Sequence, residues 1–238
     1  MCGRFTLYSD PGAVAKRFGA QPQEDETWHP SWNIAPTDPI LGVAERIPRD
    51  DPTAPPGRLL YPYRWGLLGP WVKDPKKAGS TFNARAETVA TNNTFRTPFR
   101  ERRLIIPADA YYEWKKVGGK RGPHAIRRAD GELLAFAGLW QPWRPADDPK
   151  GWIVTATIIT GPAGPDTEDL HDRQPVILEP DLWDAWLDPQ NHDLAELEAM
   201  LHSAPGGTLV AYAVDARVGN VRNNDAHLVE PVSDLPNS

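Results

Sequence analysis

Twenty-six prolines in 238 residues recur along this chain too often to leave room for long regular elements. A proline removes a backbone donor and its ring clashes with the preceding turn. It is therefore tolerated at helix first turns, at sheet edges and in loops. The chain reads as many short strands and brief helices joined by turns. Hydrophobic residues make up 40% of it and it carries ten tryptophans, enough to fill a core. No linker separates two cores and no segment repeats, so one α+β domain is expected over 1–230, with a loose tail over 231–238.

Local signals place the elements. Arg4 to Tyr8 reads as a strand. Ser9 or Asp10 can cap a helix that has Pro11 in its first turn and ends near Gly19. Leu41 to Glu45 and Leu59 to Leu67 read as strands around a surface loop, Pro48 to Gly57. Asn83 to Glu101 is mixed and partly helical. A strand-rich block follows at Leu104–Pro107, Tyr111–Lys116, His124–Arg128 and Leu133–Leu139, with turns at Gly118-Gly119 and Asp130-Gly131. Ile153–Ile159, Pro175–Leu178 and Thr208–Val214 are further strands, and Leu182–Leu187 and Leu194–Leu201 are helical.

Cys2 is the only cysteine, directly behind the initiator methionine. Position alone could be an accident of the start codon. Removal of Met1 would, however, put an α-amine and a thiol on one residue. Their ordinary pKa values, near ~7.7 and ~8.5, leave both partly nucleophilic at neutral pH. Such a pair can condense with an aldehyde to an imine and close through sulfur to a thiazolidine. While Met1 remains, the Cys2 nitrogen is a peptide nitrogen and cannot do so. One cysteine also excludes a disulfide framework and a cysteine-rich zinc site. Met1-Cys2-Gly3-Arg4-Phe5 does not open a secretory signal, and no apolar run is long enough to span a bilayer. A reducing cytoplasm is the expected setting. The net charge of -6 argues against broad electrostatic attraction to nucleic acid, so any such contact must be local.

Several segments carry candidate chemistry. In Ile106-Pro107-Ala108-Asp109-Ala110-Tyr111-Tyr112-Glu113-Trp114, strand alternation puts Tyr111 and Glu113 on one face and Tyr112 and Trp114 on the other. A carboxylate among rings is desolvated and suited to shuttle protons. An exposed glutamate on an edge strand is the plainer alternative. His171, in His171-Asp172-Arg173-Gln174-Pro175, titrates in a useful range, although a lone loop histidine is more often structural. Asn83, in Asn83-Ala84-Arg85-Ala86-Glu87-Thr88, can donate to an oxyanion or a sugar oxygen, or simply cap a turn. Arg4, Arg85 and Arg173 would make a phosphate clamp if folding gathered them, although each alone reads more simply as a surface charge or a partner for Asp or Glu. Arg96, Arg100, Arg102 and Arg103 read first as a solvated face, as do Lys115, Lys116, Lys120 and Arg121. Trp71 can stack on an unpaired base. Trp65, Trp140 and Trp152 read first as core. Asn33-Ile34-Ala35-Pro36-Thr37 and Val218 to Asn224 complete the set. No serine-nucleophile elbow, phosphate-binding loop, cofactor motif or metal-ligand pattern is present.

In this order, the segments resemble the SOS-response-associated peptidase family, the abasic-site-crosslinking proteins, from Cys2 to about Asn224. The resemblance implies a single α+β domain around a twisted antiparallel β-sheet or barrel with peripheral helices. It also implies a sensor that covalently captures abasic sites in single-stranded DNA during the SOS and DNA damage response. The imine and then the thiazolidine would form at Cys2, with lyase-like chemistry and a thiol autopeptidase activity that releases Met1. By the same resemblance Cys2, Asn83, Glu113 and His171 are catalytic, and Arg4, Pro36, Trp71, Arg85 and Arg173 meet DNA. No cofactor, metal or membrane is implied. A cytoplasmic monomer acting at the nucleoid is expected. Gln174, Ala110 and Val72 depart from residues often found in the family, and Val72 weakens the expected stacking. A Cys2-dependent peptidase or amidohydrolase remains an alternative, as does a noncatalytic reader of damaged or modified DNA. A metabolic enzyme with a buried thiol has no motif in its favour.

Overall fold

The computed structural model describes residues 2–22, 28–47, 53–117, 120–145, 147–148 and 150–232. Its strands are β1 (Phe5–Leu7), β2 (Gln21–Pro22), β3 (Ser31–Ile34), β4 (Pro39–Arg46), β5 (Gly57–Trp65), β6 (Asn83–Arg85), β7 (Arg103–Ala108), β8 (Ala110–Val117), β9 (Lys120–Arg128), β10 (Leu134–Trp143), β11 (Ile153–Pro162), β12 (Arg173–Pro175) and β13 (Leu209–Ala213). The helices are short: α1 (Pro11–Arg17), α2 (Arg96–Glu101), α3 (Trp183–Leu187) and α4 (Leu194–Ala199). Asp10 caps α1, its carboxylate accepting the Ala13 N–H, and Pro11 occupies the first turn.

Two sheets organise the chain. The larger one runs β12-β11-β10-β7-β4-β5-β2, and β11 also pairs in parallel with β5 at Thr155–Arg64 and Ala156–Trp65. That pairing closes β4, β5, β11, β10 and β7 into a ring, so those five strands form a small barrel and hide their edges. Packing there is tight. A Cβ on Gly42 would stand 2.3 Å from Leu104 Cδ1. The second sheet runs β13-β9-β8-β1-β3. It meets the barrel through edge-on rings: Phe5 against Trp65 at 5.1 Å, and Phe5 and Tyr111 each against Phe136 at 6.0 Å. Burial of these large apolar side chains is the main force joining the sheets. The α+β reading and the barrel with peripheral helices hold, the barrel being antiparallel except where β5 and β11 close it in parallel.

Some expectations changed. The short strands β2 and β3 carry too few residues to show a period of two. The strand expected at Pro175–Leu178 is Arg173–Pro175, followed by one bridge from Ile177 to Phe136. Arg103 does not belong to a solvated face. It is buried, and donates to the carbonyls of Trp186, Phe99, Arg100, Asp188 and Asn191, satisfying the otherwise orphaned C-terminal carbonyls around α2 and α3. Trp65 is core and Trp140 partly buried, but Trp152 is 57% exposed. Positions 48–52 of the expected loop, the Gly118-Gly119 turn and 233–238 of the expected tail lie outside the described residues. Val232, the last described residue, still donates its N–H to Ala213 O. No helix among the described residues is long and apolar enough to cross a membrane.

Candidate active site

The chain start enters the seam between the two sheets. Phe5 and Thr6 pair with Tyr111 and Ala110, and the Tyr112 N–H donates to Arg4 O, so β8 fixes the approach of the N-terminal segment. Two side chains complete the anchorage. Asn83, on β6, donates Nδ2 to the Cys2 carbonyl at 2.8 Å. A carbonyl can only accept, so this contact settles which end of the Asn83 amide carries nitrogen. Arg4 Nη1 donates to Asn33 Oδ1 at 2.7 Å and to Val218 O at 2.8 Å. Arg4 is thus tied to Asn33 and Val218, partners that neither Arg85 nor Arg173 shares.

Cys2 ends up fully buried, its Sγ directed at Arg4 O at 3.9 Å. Burial pushes the thiol well above its ordinary range, and the nearby Glu113 charge pushes it further. The thiol is therefore not partly ionised at neutral pH, as an exposed cysteine would be. Glu113 lies on β8 between β1 and β9 and is only 5% exposed, so it is no edge-strand glutamate. Desolvation pushes its pKa up to about 7, and the nearby charge of Asp172 adds to the shift. Alternation on β8 works as the sequence suggested: Tyr111 joins the main core, while Tyr112 and Trp114 pack in a separate cluster. Burial, with the charges of Cys2 and Glu113 adding to it, raises Tyr111 well above the ordinary phenol range. Its hydroxyl lies beside Thr167 but makes no well-formed hydrogen bond among the described residues.

His171 belongs to the loop that leads into β12. Its Nδ1 faces two partners with opposite demands. The Arg173 N–H at 2.9 Å needs a bare lone pair there, whereas the Asp172 carboxylate at 2.8 Å favours a proton. Asp172 is largely exposed, so its attraction is screened. In the neutral ring the backbone contact prevails, and Nε2 carries the proton. Beneath this loop, Gln174 Oε1 accepts from Gly164 N at 3.1 Å and from Thr167 Oγ1 at 2.5 Å. Thr167 O in turn accepts the His171 N–H.

Arg85 and Arg173 do come together. Arg173 grips the Glu87 carboxylate through Nη1 and through Nη2 at 3.0 Å, and Nη2 also donates to Thr160 O at 2.6 Å. The Arg173 hydrogen bond holds the Glu87 carboxyl below its ordinary range, and Arg85 adds to that effect. Arg173 is largely neutralised, and Arg85 is the exposed cation of the pair. Pro36 sits in a turn closed by Asp38 N to Ala35 O at 3.1 Å. Thr37, the next residue, has φ 82°, a conformation that a β-branched residue rarely adopts. Trp71 is 59% exposed and lies across Gly69, where a Cβ would stand 2.6 Å from its Cζ2. Glycine at 69 is what lets the ring lie against the backbone.

Two segments singled out in the sequence, without a role, turn out to hold this site. Asn33 is buried, and its Nδ2 reaches the carbonyls of Val218, Asn220 and Asn223. Asn224 Oδ1 accepts from Trp32 N. The segments at 33–37 and 218–224 therefore hold each other, and Arg4 with them. Among the described residues, no group of three or more His, Cys, Asp or Glu side chains could hold a metal ion.

The family profile described as "SOS response associated peptidase (SRAP)" matches residues 1–221. The abasic site processing protein YoqW of Bacillus subtilis is 39% identical over 233 residues, covering 97% of this chain and 99% of the relative. The abasic site processing protein YedK of Escherichia coli is 30% identical over 239 residues, covering 98% and 100%. A solved structure from Bacteroides thetaiotaomicron is similar in fold, with a TM-score of 0.81 at 22% identity, covering 98% of this chain and 100% of that one.

Proposed function

This chain belongs to the SOS response associated peptidase family, and on that footing we propose that it captures abasic sites in single-stranded DNA as a covalent adduct on Cys2. Relatives named for abasic-site processing support the class of substrate. The observation that carries the chemistry is the enclosure of the chain's only thiol beside Glu113, with Asn83 holding the Cys2 carbonyl.

The steps follow from that arrangement. Hydrolysis of the Met1–Cys2 peptide bond adds hydroxyl to the Met1 carbonyl carbon and hydrogen to the Cys2 nitrogen, with Glu113 taking the proton from water. This is the autopeptidase step, and it creates the amine. That nitrogen then bonds to the aldehyde carbon of the ring-opened sugar, and the carbinolamine oxygen leaves as water with a proton from Glu113. A carboxyl near pKa 7 suits both directions of transfer. The thiol acts last. Burial keeps it protonated until the electrophilic imine carbon is beside it. Sulfur then bonds to that carbon, and the thiol proton passes to nitrogen. One amine, one thiol and one aldehyde give one thiazolidine and one water. His171, with a proton on Nε2, gives it to the sugar ring oxygen as the bond from that oxygen to the anomeric carbon breaks, and the anomeric hydroxyl gives its proton to water, which leaves the aldehyde.

An abasic nucleotide has no base to unstack and enters a narrow seam cheaply. Arg85 and Trp71 bind the strand around it without reading sequence, with Pro36 beside them. Arg4 and Arg173 serve mainly by holding Cys2 and the His171 loop in place. The protein acts as a cytoplasmic monomer at the nucleoid and needs no cofactor.

A denaturing gel tests this reading, with Met-processed protein and a single-stranded oligonucleotide that carries one abasic site. Cys2→Ala should abolish the shifted band, a loss of at least about 10³-fold in covalent yield, because no other thiol can close the ring. A band of full strength in that variant would refute the proposal.

A further inference from the structure

The abasic nucleotide alone does not account for the surface of this protein. Along β11, the register acts as a ruler. Arg85 lies opposite Thr160, Asn83 opposite Ile158, and Arg64 opposite Thr155. Just beyond, Ile153 and Trp152 border a groove of about 340 Å³, with Thr37, Tyr61 and Arg64 on its other sides. A strand rises ~3.3 Å per residue, so the groove begins about 10 Å from the register position of Asn83 and reaches Ile153, the first residue of β11, at about 17 Å. A stacked nucleic-acid strand rises ~3.4 Å per nucleotide, so this interval is about three to five nucleotides.

The groove's lining has the chemistry that an unpaired nucleotide needs. Trp152 is 57% exposed and offers a large aromatic surface that the core does not use, and the Arg144 guanidinium stands 5.1 Å from its ring centroid. Arg64 is held through its backbone in β5, and its side chain makes no hydrogen bond or ion pair with the described residues. Arg46 lies over Tyr61 at 5.5 Å and over Trp140 at 4.2 Å, adding positive charge behind the same wall. In a chain of net charge -6, three arginines around one aromatic groove are a local exception. The strained Thr37 turn joins this groove to Pro36. Thr37 N donates to Trp65 O and Trp65 N to Asp38 O, so the turn is locked to the end of β5 that carries Arg64.

We infer that the groove between Trp152, Tyr61 and Arg64 is a second nucleotide site, which stacks an unpaired base of the same DNA strand about three to five nucleotides from the abasic residue. This rests on the proposed function above. Stacking tolerates any base, so the site adds affinity and a flank-length requirement but no sequence preference.

Fluorescence anisotropy with oligonucleotides that carry a tetrahydrofuran abasic analogue isolates binding from capture, because the analogue cannot open to an aldehyde. Each flank is about six nucleotides long at the start and is then shortened, one side at a time, to about two. In the wild-type protein, shortening one flank and not the other should weaken binding about tenfold. Trp152→Ala should bind long and short flanks alike, at the affinity of the wild type for the short one. Arg64→Gln should remove part of the difference. Both side chains lie at the surface, and unchanged melting curves would confirm intact folding. A wild type indifferent to flank length, or a Trp152→Ala protein as sensitive to it as wild type, would overturn the site. A parallel gel with a true abasic oligonucleotide separates the failures. Crosslinking without flank dependence overturns the groove alone, whereas no crosslinking by wild type removes the proposed function and this site with it.

Discussion

Cys2 and Arg85 mark two regions of the molecule that water treats in opposite ways. Around Cys2, solvent is excluded: the thiol is buried, Glu113 is almost so, and burial raises the pKa of both. Around Arg85 and Trp71, side chains stand in water, where a charge interacts weakly and is screened by salt. The first region can move protons and favour uncharged forms, but it has little surface with which to grip a strand. The second can grip a strand but cannot shift a pKa far. Chemistry and affinity are therefore separable here, and substitutions in the two regions should fail differently.

Below the complete loss expected for Cys2→Ala, Glu113→Gln should have the largest effect. It should slow single-turnover crosslinking by about 10²- to 10⁴-fold. It should also stabilise the protein at high pH. The folded pKa of Glu113, about 7, lies above its ordinary 4.5, so the native state keeps a proton that the unfolded chain releases between those values. That contribution is full below about pH 4.5 and is lost as pH rises through 7. At pH 8 the variant should be more stable by about 3 kcal/mol, and the gap should close toward pH 4.5, as read from urea melts at several pH values. A variant less stable than wild type at pH 8 would mean that the pocket is not dry.

Asn83→Ala releases the Cys2 carbonyl. Crosslinking should slow by about tenfold to a hundredfold while noncovalent affinity for the tetrahydrofuran analogue stays within about threefold, because the lost contact positions the nucleophile and not the DNA. An affinity loss as large as the rate loss would move Asn83 to the binding surface. Arg85→Gln should have the smallest effect. Affinity should fall a few-fold at low salt, and the slope of log affinity against log salt should drop by about 1. Rapid crosslinking at saturating DNA, insensitive to salt in the wild type, would sharpen the contrast between dry pocket and wet rim.

Most of the fold was legible because its signals are local. Asp10-Pro11 marks a helix start, and Tyr111 to Lys116 alternates with a period of two. The barrel closure through β5 and β11 was not legible, because it depends on pairings about ninety residues apart with no local signature. In the site, residue types pointed to Cys2 and Glu113, and alternation placed Glu113 on the face of Tyr111. The buried environment that raises the Glu113 pKa arises only when β1 and β8 pair. Arg4 and Arg173 could be read as part of a phosphate clamp or as partners of acidic side chains, and a sequence does not show that Asn33 and Glu87 are what meets them. Trp152 looked like core because tryptophan usually is.

The most direct test of the account is the intact mass of the protein–DNA adduct, before and after treatment with a hydride reductant. The account predicts a mass equal to the protein without Met1 plus the oligonucleotide, less one water, and unchanged by the reductant because the ring has closed through sulfur. A mass that retains Met1, or an adduct that gains two hydrogens on reduction and so stops at the imine, would contradict it.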